Sequence, residues 1–209
     1  MTGCCENKSC TLNAMRAKHG RVLKIVLAVN AAMFVVEAVA GMAAHSTSLL
    51  ADASDMLGDA LVYGFSLYVL TRDEVWQARA ALLKGLIMLA FGLGVAAEAI
   101  YKTLHPILPS GETISVIGLL ALAANTGCFL LLYRHRADNL NMSSVWLCSR
   151  NDLFANTGVI VAGIAVIFTQ SRWPDIIVGG AIAALFLKSA FSVLRQALAA
   201  LRANAKFEK

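Results

Sequence analysis

The stretch SLLADASDMLGDALVYGF, residues 48–65, sets three carboxylates, Asp52, Asp55 and Asp59, in a mostly apolar run. A spacing of four puts Asp55 and Asp59 on one face of a helix, one turn apart. A second apolar stretch, SSVWLCSRNDLFANTGVI at 143–160, repeats that spacing with Cys148 and Asp152. A carboxylate at the centre of a membrane helix costs roughly 2.5–3.5 kcal/mol on insertion scales, so a chain that keeps three has a use for them.

Composition says that lipid is the solvent. Of 209 residues, 58% are hydrophobic and only 15% charged, with a mean hydropathy of +0.68. A soluble domain carries about a quarter charged residues. Six runs are long enough to span, at roughly 22–43, 48–71, 81–104, 113–133, 140–169 and 174–201. The expected architecture is an all-α integral membrane bundle of six transmembrane helices. Residues 1–20 read as a disordered, Cys-containing tail, 21–203 as one six-helix transport domain, and 204–209 as a short C-terminal tail. Ala38-Val39-Ala40 resembles a signal-peptidase site, but Glu37 beside it and the long polar segment before it argue against cleavage.

The net charge of +5 and pI near 9.1 encode orientation. Lys18, Arg21 and Lys24 precede the first run, Arg72 and Arg79 flank the second connection, Arg134 and Arg136 the fourth, and Arg202 the C-terminal end. The first, third and fifth connections offer only Lys102 and Arg172. This asymmetry places both termini in the cytoplasm. It leaves no basic patch for nucleic acid. Cys4, Cys5 and Cys10 then lie in a reducing compartment, so no disulfide framework is expected. With His19 they form a soft-metal capture candidate, whose alternative is a tail without a role.

With the N-terminus inside, six spans divide into two triplets of opposite orientation, and the second and fifth helices are their centres. The paired residues sit on those two helices, as in a 3+3 inverted-repeat bundle with a midplane site. Four ligands in a tetrahedron suit zinc-group dications, and a thiolate among carboxylates leans toward zinc or cadmium. The candidate metal ligands are therefore Asp55, Asp59, Cys148 and Asp152. For Cys148 the alternative is plain packing. For the three aspartates it is an inter-helix salt bridge or a polar cavity. Asp52 reads equally as an exit-path or proton-binding residue and as a helix-start residue. Arg150 either snorkels or pairs with Glu37. His45 and His105 belong to outer connections, Trp173 and Tyr101 are interface anchors, and Asn30, Asn125 and Asn156 are hydrogen-bonding residues between helices.

In context these residues resemble the cation diffusion facilitator family. The resemblance rests on Glu37 and Gly41, the run Ser48 to Ala53 leading into Asp55 and Asp59, and Glu98 and Asn125. It continues through Asp152 with Gly158-Val159-Ile160, and Trp173-Pro174-Asp175. It implies a metal–proton antiporter whose ligands fall on Asp55, Asp59, Cys148 and Asp152. Members commonly hold His or Asp where this chain has Cys148, and an apolar residue where it has Arg150. They also carry a cytoplasmic ferredoxin-like domain after the sixth helix; none is expected here, so homodimerisation would come from the membrane helices. The expected function is export of zinc or cadmium from the cytosol in exchange for protons, in a bacterial inner membrane, with no cofactor and no enzymatic step. The alternatives are another divalent metal (cobalt, iron, manganese or nickel) or a non-transporting metal-binding protein. A phosphotransfer enzyme is disfavoured, because Asp55 and Asp59 lie too deep and lack phosphate-binding surroundings.

Overall fold

A computed structural model describes the backbone of residues 4–69, 74–133 and 140–207. Side chains are described for 21–22, 24–64, 76, 78–133 and 152–202. Six helices follow in order: α1 Cys4–Ala43, α2 Thr47–Val69, α3 Glu74–Leu104, α4 Gly111–Tyr133, α5 Leu140–Thr169 and α6 Trp173–Phe207. α1 shows no break near residue 20, where the tail was expected to end. Glu6, Lys8, Leu12, Ala14, Met15, Arg16 and Lys18 all favour helix, and extending an existing helix is cheap.

The ends of the helices are set by local chemistry. α1 closes with Ser46 N–H bonded to Gly41 O (2.8 Å) and His45 N–H bonded to Met42 O (3.3 Å). That is a Schellman closure, with His45 at φ 49° where glycine is usual. Gln170, also at φ 49°, turns α5 toward α6. Pro174 stands at the second residue of α6, where its missing N–H costs no helical bond. Pro106 and Pro109 occupy the connection between α3 and α4.

The main partnerships are α1 with α2, α4 with α5, and α3 with α6. Exchanging the two triplets maps the first pair onto the second and α3–α6 onto itself, as an inverted repeat requires. Two contacts depart from it among the described residues: α2 packs on α6 whereas α5 has no comparable contact with α3, and α1 packs on α5 more closely than α4 does on α2. Glycines set how closely helices approach. Gly85 and Gly92 on α3 receive Leu194 and Leu187 of α6, in antiparallel register. Gly111 of α4 and Gly163 of α5 bring those two backbones together.

Buried and exposed chemistry is inverted relative to a soluble protein. Phe168, Leu104 and Phe154 stand outward, while Glu37, Asp52, Asn156 and Lys102 are at most 1% exposed. Among the described residues five helices are long and apolar enough to cross a membrane. α2 is not among the five, although at 23 residues it equals α4 in length. α2 carries three carboxylates and keeps them from lipid by packing between α1, α3 and α6. The molecule is an integral membrane helical bundle.

Short links bring the C-terminal ends of α1, α3 and α5 and the N-terminal ends of α2, α4 and α6 to one face of the bundle. Ser110 N–H bonds Ala44 O (3.0 Å), Arg172 Nη2 reaches Thr103 O (3.3 Å), and Gly111 lies against Gly163. Asp175, fully buried in the first turn of α6, meets Ser46, Thr47 and Ser48 at the start of α2. His45, His105, Tyr101 and Trp173 are exposed at this face, as expected.

Candidate metal-transport site

α2 presents its aspartates inward because its apolar residues are used elsewhere. Met56 packs with Met33 and Ala121, Val62 and Tyr63 pack with Val26 and Leu132, and Leu49 and Ala51 pack toward Val159 and Ile182. Gly58 receives the ring of Phe186 from α6. What remains is a polar ridge of Asp52, Asp55 and Asp59. Asp52 and Asp59 are buried and Asp55 is half-buried. At 1.5 Å per residue, Asp55 and Asp59 lie about 12 and 18 Å below the start of α2, within the middle third of a bilayer core.

Asp152 on α5 is half-buried. One turn on, Asn156 is fully buried and its Nδ2 donates to the Asp152 carbonyl oxygen (2.9 Å). The Cys128 thiol of α4 is buried and lies within electrostatic reach of both Asp59 and Asp152. The thiol therefore feels one carboxylate of α2 and one of α5 at long range, while its packing neighbours are Val26, Val62, Tyr63 and Leu132. The side chains of Cys148 and Arg150 lie outside the described residues, as do those of Cys4, Cys5, Cys10, His19 and His135. Among the described residues no three His, Cys, Asp or Glu side chains are close enough to enclose an ion.

A second acidic tier lies nearer the connected face. Glu37 of α1 is within electrostatic reach of Asp52 and Asp55. Both Glu37 carboxyl oxygens and Asp52 Oδ2 are buried without a hydrogen-bond partner among the described residues. Asn125 Nδ2 and Asn156 Oδ1 are in the same state. Buried polar groups are usually satisfied, so these atoms are exceptions among the described residues.

Sequence reasoning passed over two participants. Cys128 appears in the sequence only as a cysteine within a span, and its nearness to Asp59 and Asp152 is tertiary. Lys102 was read as a cation of an outer connection. It is buried, bonded to Glu98 (3.2 Å) one turn back and to Thr47 Oγ1 (3.3 Å).

Known proteins resemble this chain along most of its length. It is 27% identical over 201 residues to a Bacillus velezensis protein named a cadmium, cobalt and zinc/H(+)-K(+) antiporter, covering 89% of this chain and 64% of that one. It is 28% identical over 193 residues to the zinc transporter ZitB of Escherichia coli, covering 86% and 62%. It is 26% identical over 191 residues to ZitB of Yersinia pestis, covering 85% and 61%. The chain therefore spans less than two-thirds of the length of these relatives. Residues 23–202 match the family described as the cation efflux transmembrane domain, and a match over so much of its length makes this chain a member of the cation efflux family.

Proposed function

We propose that the chain exports a divalent transition metal, zinc or cadmium, from the cytosol in exchange for protons, as a multi-pass protein of a bacterial inner membrane. The observation that carries this is the inward ridge of Asp52, Asp55 and Asp59 on α2, with Asp55 and Asp59 within the middle third of a bilayer core. Asp55 and Asp59 supply one half of the proposed site; Asp152 and Cys148 supply the other. Oxygen with sulfur donors favours zinc-group ions over magnesium or calcium. The relatives named as cadmium, cobalt and zinc antiporters or zinc transporters support the same substrate class.

The coupling follows from acid–base chemistry. A carboxylate or thiol must give up its proton before it ligates a dication, so metal and proton compete for the same oxygens and sulfur. Opened to the cytoplasm, the site loads metal and releases protons. Opened outward, it takes up protons and releases metal. The basic connections orient both termini toward the cytoplasm. No enzymatic step belongs to this reading, and a homodimer through the membrane helices is part of it, on the strength of the family resemblance.

The test is metal-driven proton movement in proteoliposomes. Asp152→Ala is expected to abolish it while leaving the protein folded. Wild-type flux in that variant would refute the site.

A further inference from the structure

Asp175 sits 127 residues beyond Ser48 in sequence, yet it forms the cap of α2. Its Oδ1 accepts from Ser46 Oγ (2.7 Å), Ser48 N–H (3.0 Å) and Ser48 Oγ (2.6 Å), and its Oδ2 accepts from Thr47 N–H (2.7 Å). The first N–H groups of any helix lack intrahelical partners, and the N-terminus carries partial positive charge. A carboxylate is the group best suited to that place, and here α6 lends it to α2. One turn along α6, Gly179 lies against the same backbone. A Cβ on Gly179 would come within 2.6 Å of the Thr47 carbonyl carbon and 2.7 Å of Ser48 N. Asp175 and Gly179 thus form a socket for the first turn of α2, closed on its other side by Lys102 on Thr47 Oγ1.

We infer that Asp175 is a positioning residue for transport: it pins the axial register and rotation of α2 to α6, and so fixes where Asp55 and Asp59 stand relative to α5. This rests on the exporter reading above. A helix pinned at one end transmits any slip of that end along its whole length. Asp55 and Asp59 lie about 12 and 18 Å from the pin. The α2–α6 contact has no counterpart between α5 and α3, so the two proposed half-sites are anchored differently. The α2 half-site is therefore tied to α6 as well as to α1, whereas α5 has no matching tie to α3 among the described residues.

The pin is tested by a split between KM and kcat. In proteoliposomes, Asp175→Ala is expected to raise the KM for zinc about tenfold with kcat little changed, because ligand positions loosen while the moving parts remain. Asp175→Asn keeps one carbonyl acceptor and should fall between, which also covers the case in which the alanine variant folds poorly. In nanodiscs, amide hydrogen exchange at Thr47 and Ser48 should speed up in the same order, a readout that needs no transport. A Ser48→Cys, Asp175→Cys pair, oxidised to a disulfide, should restore the wild-type KM, and reduction should raise it again. Unchanged KM and unchanged exchange in Asp175→Ala would overturn the inference. So would loss of transport on forming the disulfide, which would make this contact a gate that has to open. Failure of the exporter reading looks different: Asp152→Ala would then transport normally, whatever the exchange data show.

Discussion

The ring of Phe186 lies against Gly58, one residue before Asp59, so closely that a Cβ on Gly58 would come within 2.9 Å of Phe186 Cε2. α6 thereby supports the back of the α2 half-site, and the fit depends on the missing side chain.

Gly58→Ala is expected to push Phe186 aside and rotate Asp59, lowering stability by about 1–3 kcal/mol, the range for overpacked cores. Zinc transport should fall with it. Phe186→Leu in the same chain should recover most of both losses, since the obstructing atom is the edge of that ring. Melting of the purified protein together with flux in vesicles checks this. An additive double variant would show that the two residues do not act through each other.

How far the sequence led follows from the range of each interaction. The six helices could be read because their cause is local: apolar runs of membrane length, ended by Pro, Ser and Thr. The polar face of α2 could be read for the same reason, from spacing alone. The socket formed by Asp175, the influence of Asp59 and Asp152 on Cys128, and the burial of Lys102 could not. Each depends on how helices distant in sequence cross, and those crossings depend on glycine notches such as Gly92 and Gly179. Glu37 shows the boundary. Its place in an apolar run is plain in the sequence, but its burial and its neighbours, Asp52 and Asp55, emerge only from the packing of α1 on α2.

Two thiols compete for the role of sulfur donor. If Cys148 ligates the ion, Cys148→Ser should reduce cadmium transport more than zinc transport, because cadmium is the softer ion. Cys128→Ser should then lower affinity for both metals alike, by roughly tenfold, the lower end for groups surrounding a metal site. If the pattern is reversed, with Cys128→Ser discriminating against cadmium, the sulfur comes from α4. Parallel flux measurements with the two ions separate these outcomes.

Glu37 is fully buried, and neither carboxyl oxygen has a hydrogen-bond partner among the described residues. Replacing an unsatisfied buried polar group by an apolar one of similar shape removes a desolvation cost of about 1–3 kcal/mol. Glu37→Met is therefore expected to raise the melting temperature in detergent. It should lower metal flux, because it removes an acidic, proton-binding side chain beside Asp52 and Asp55. This is the trade expected where a group is retained for function at the expense of stability. A variant that melts earlier and transports normally would show that Glu37 is structural.

The α4–α5 pair carries the other proposed half-site, and its closeness rests on Gly163. A Cβ there would stand 2.5 Å from Ser115 Oγ and 2.9 Å from Ser115 N, so rotating the serine side chain relieves only part of the clash. From the other side, a Cβ on Gly111 would come within 2.7 Å of Gly163 O, which leaves the two backbones no slack. Gly163→Ala should force the helices apart near the connected face and cost about 1–3 kcal/mol. It should also displace Asp152, about 16 Å back along α5, and weaken metal binding. Gly94 supplies the control, since a Cβ there meets nothing within 4 Å. Gly94→Ala should be neutral or should stabilise α3 by roughly 0.5–1 kcal/mol through the lower backbone entropy of alanine. Thermal unfolding followed by tryptophan fluorescence measures both variants, and equal melting temperatures would disprove the close α4–α5 crossing.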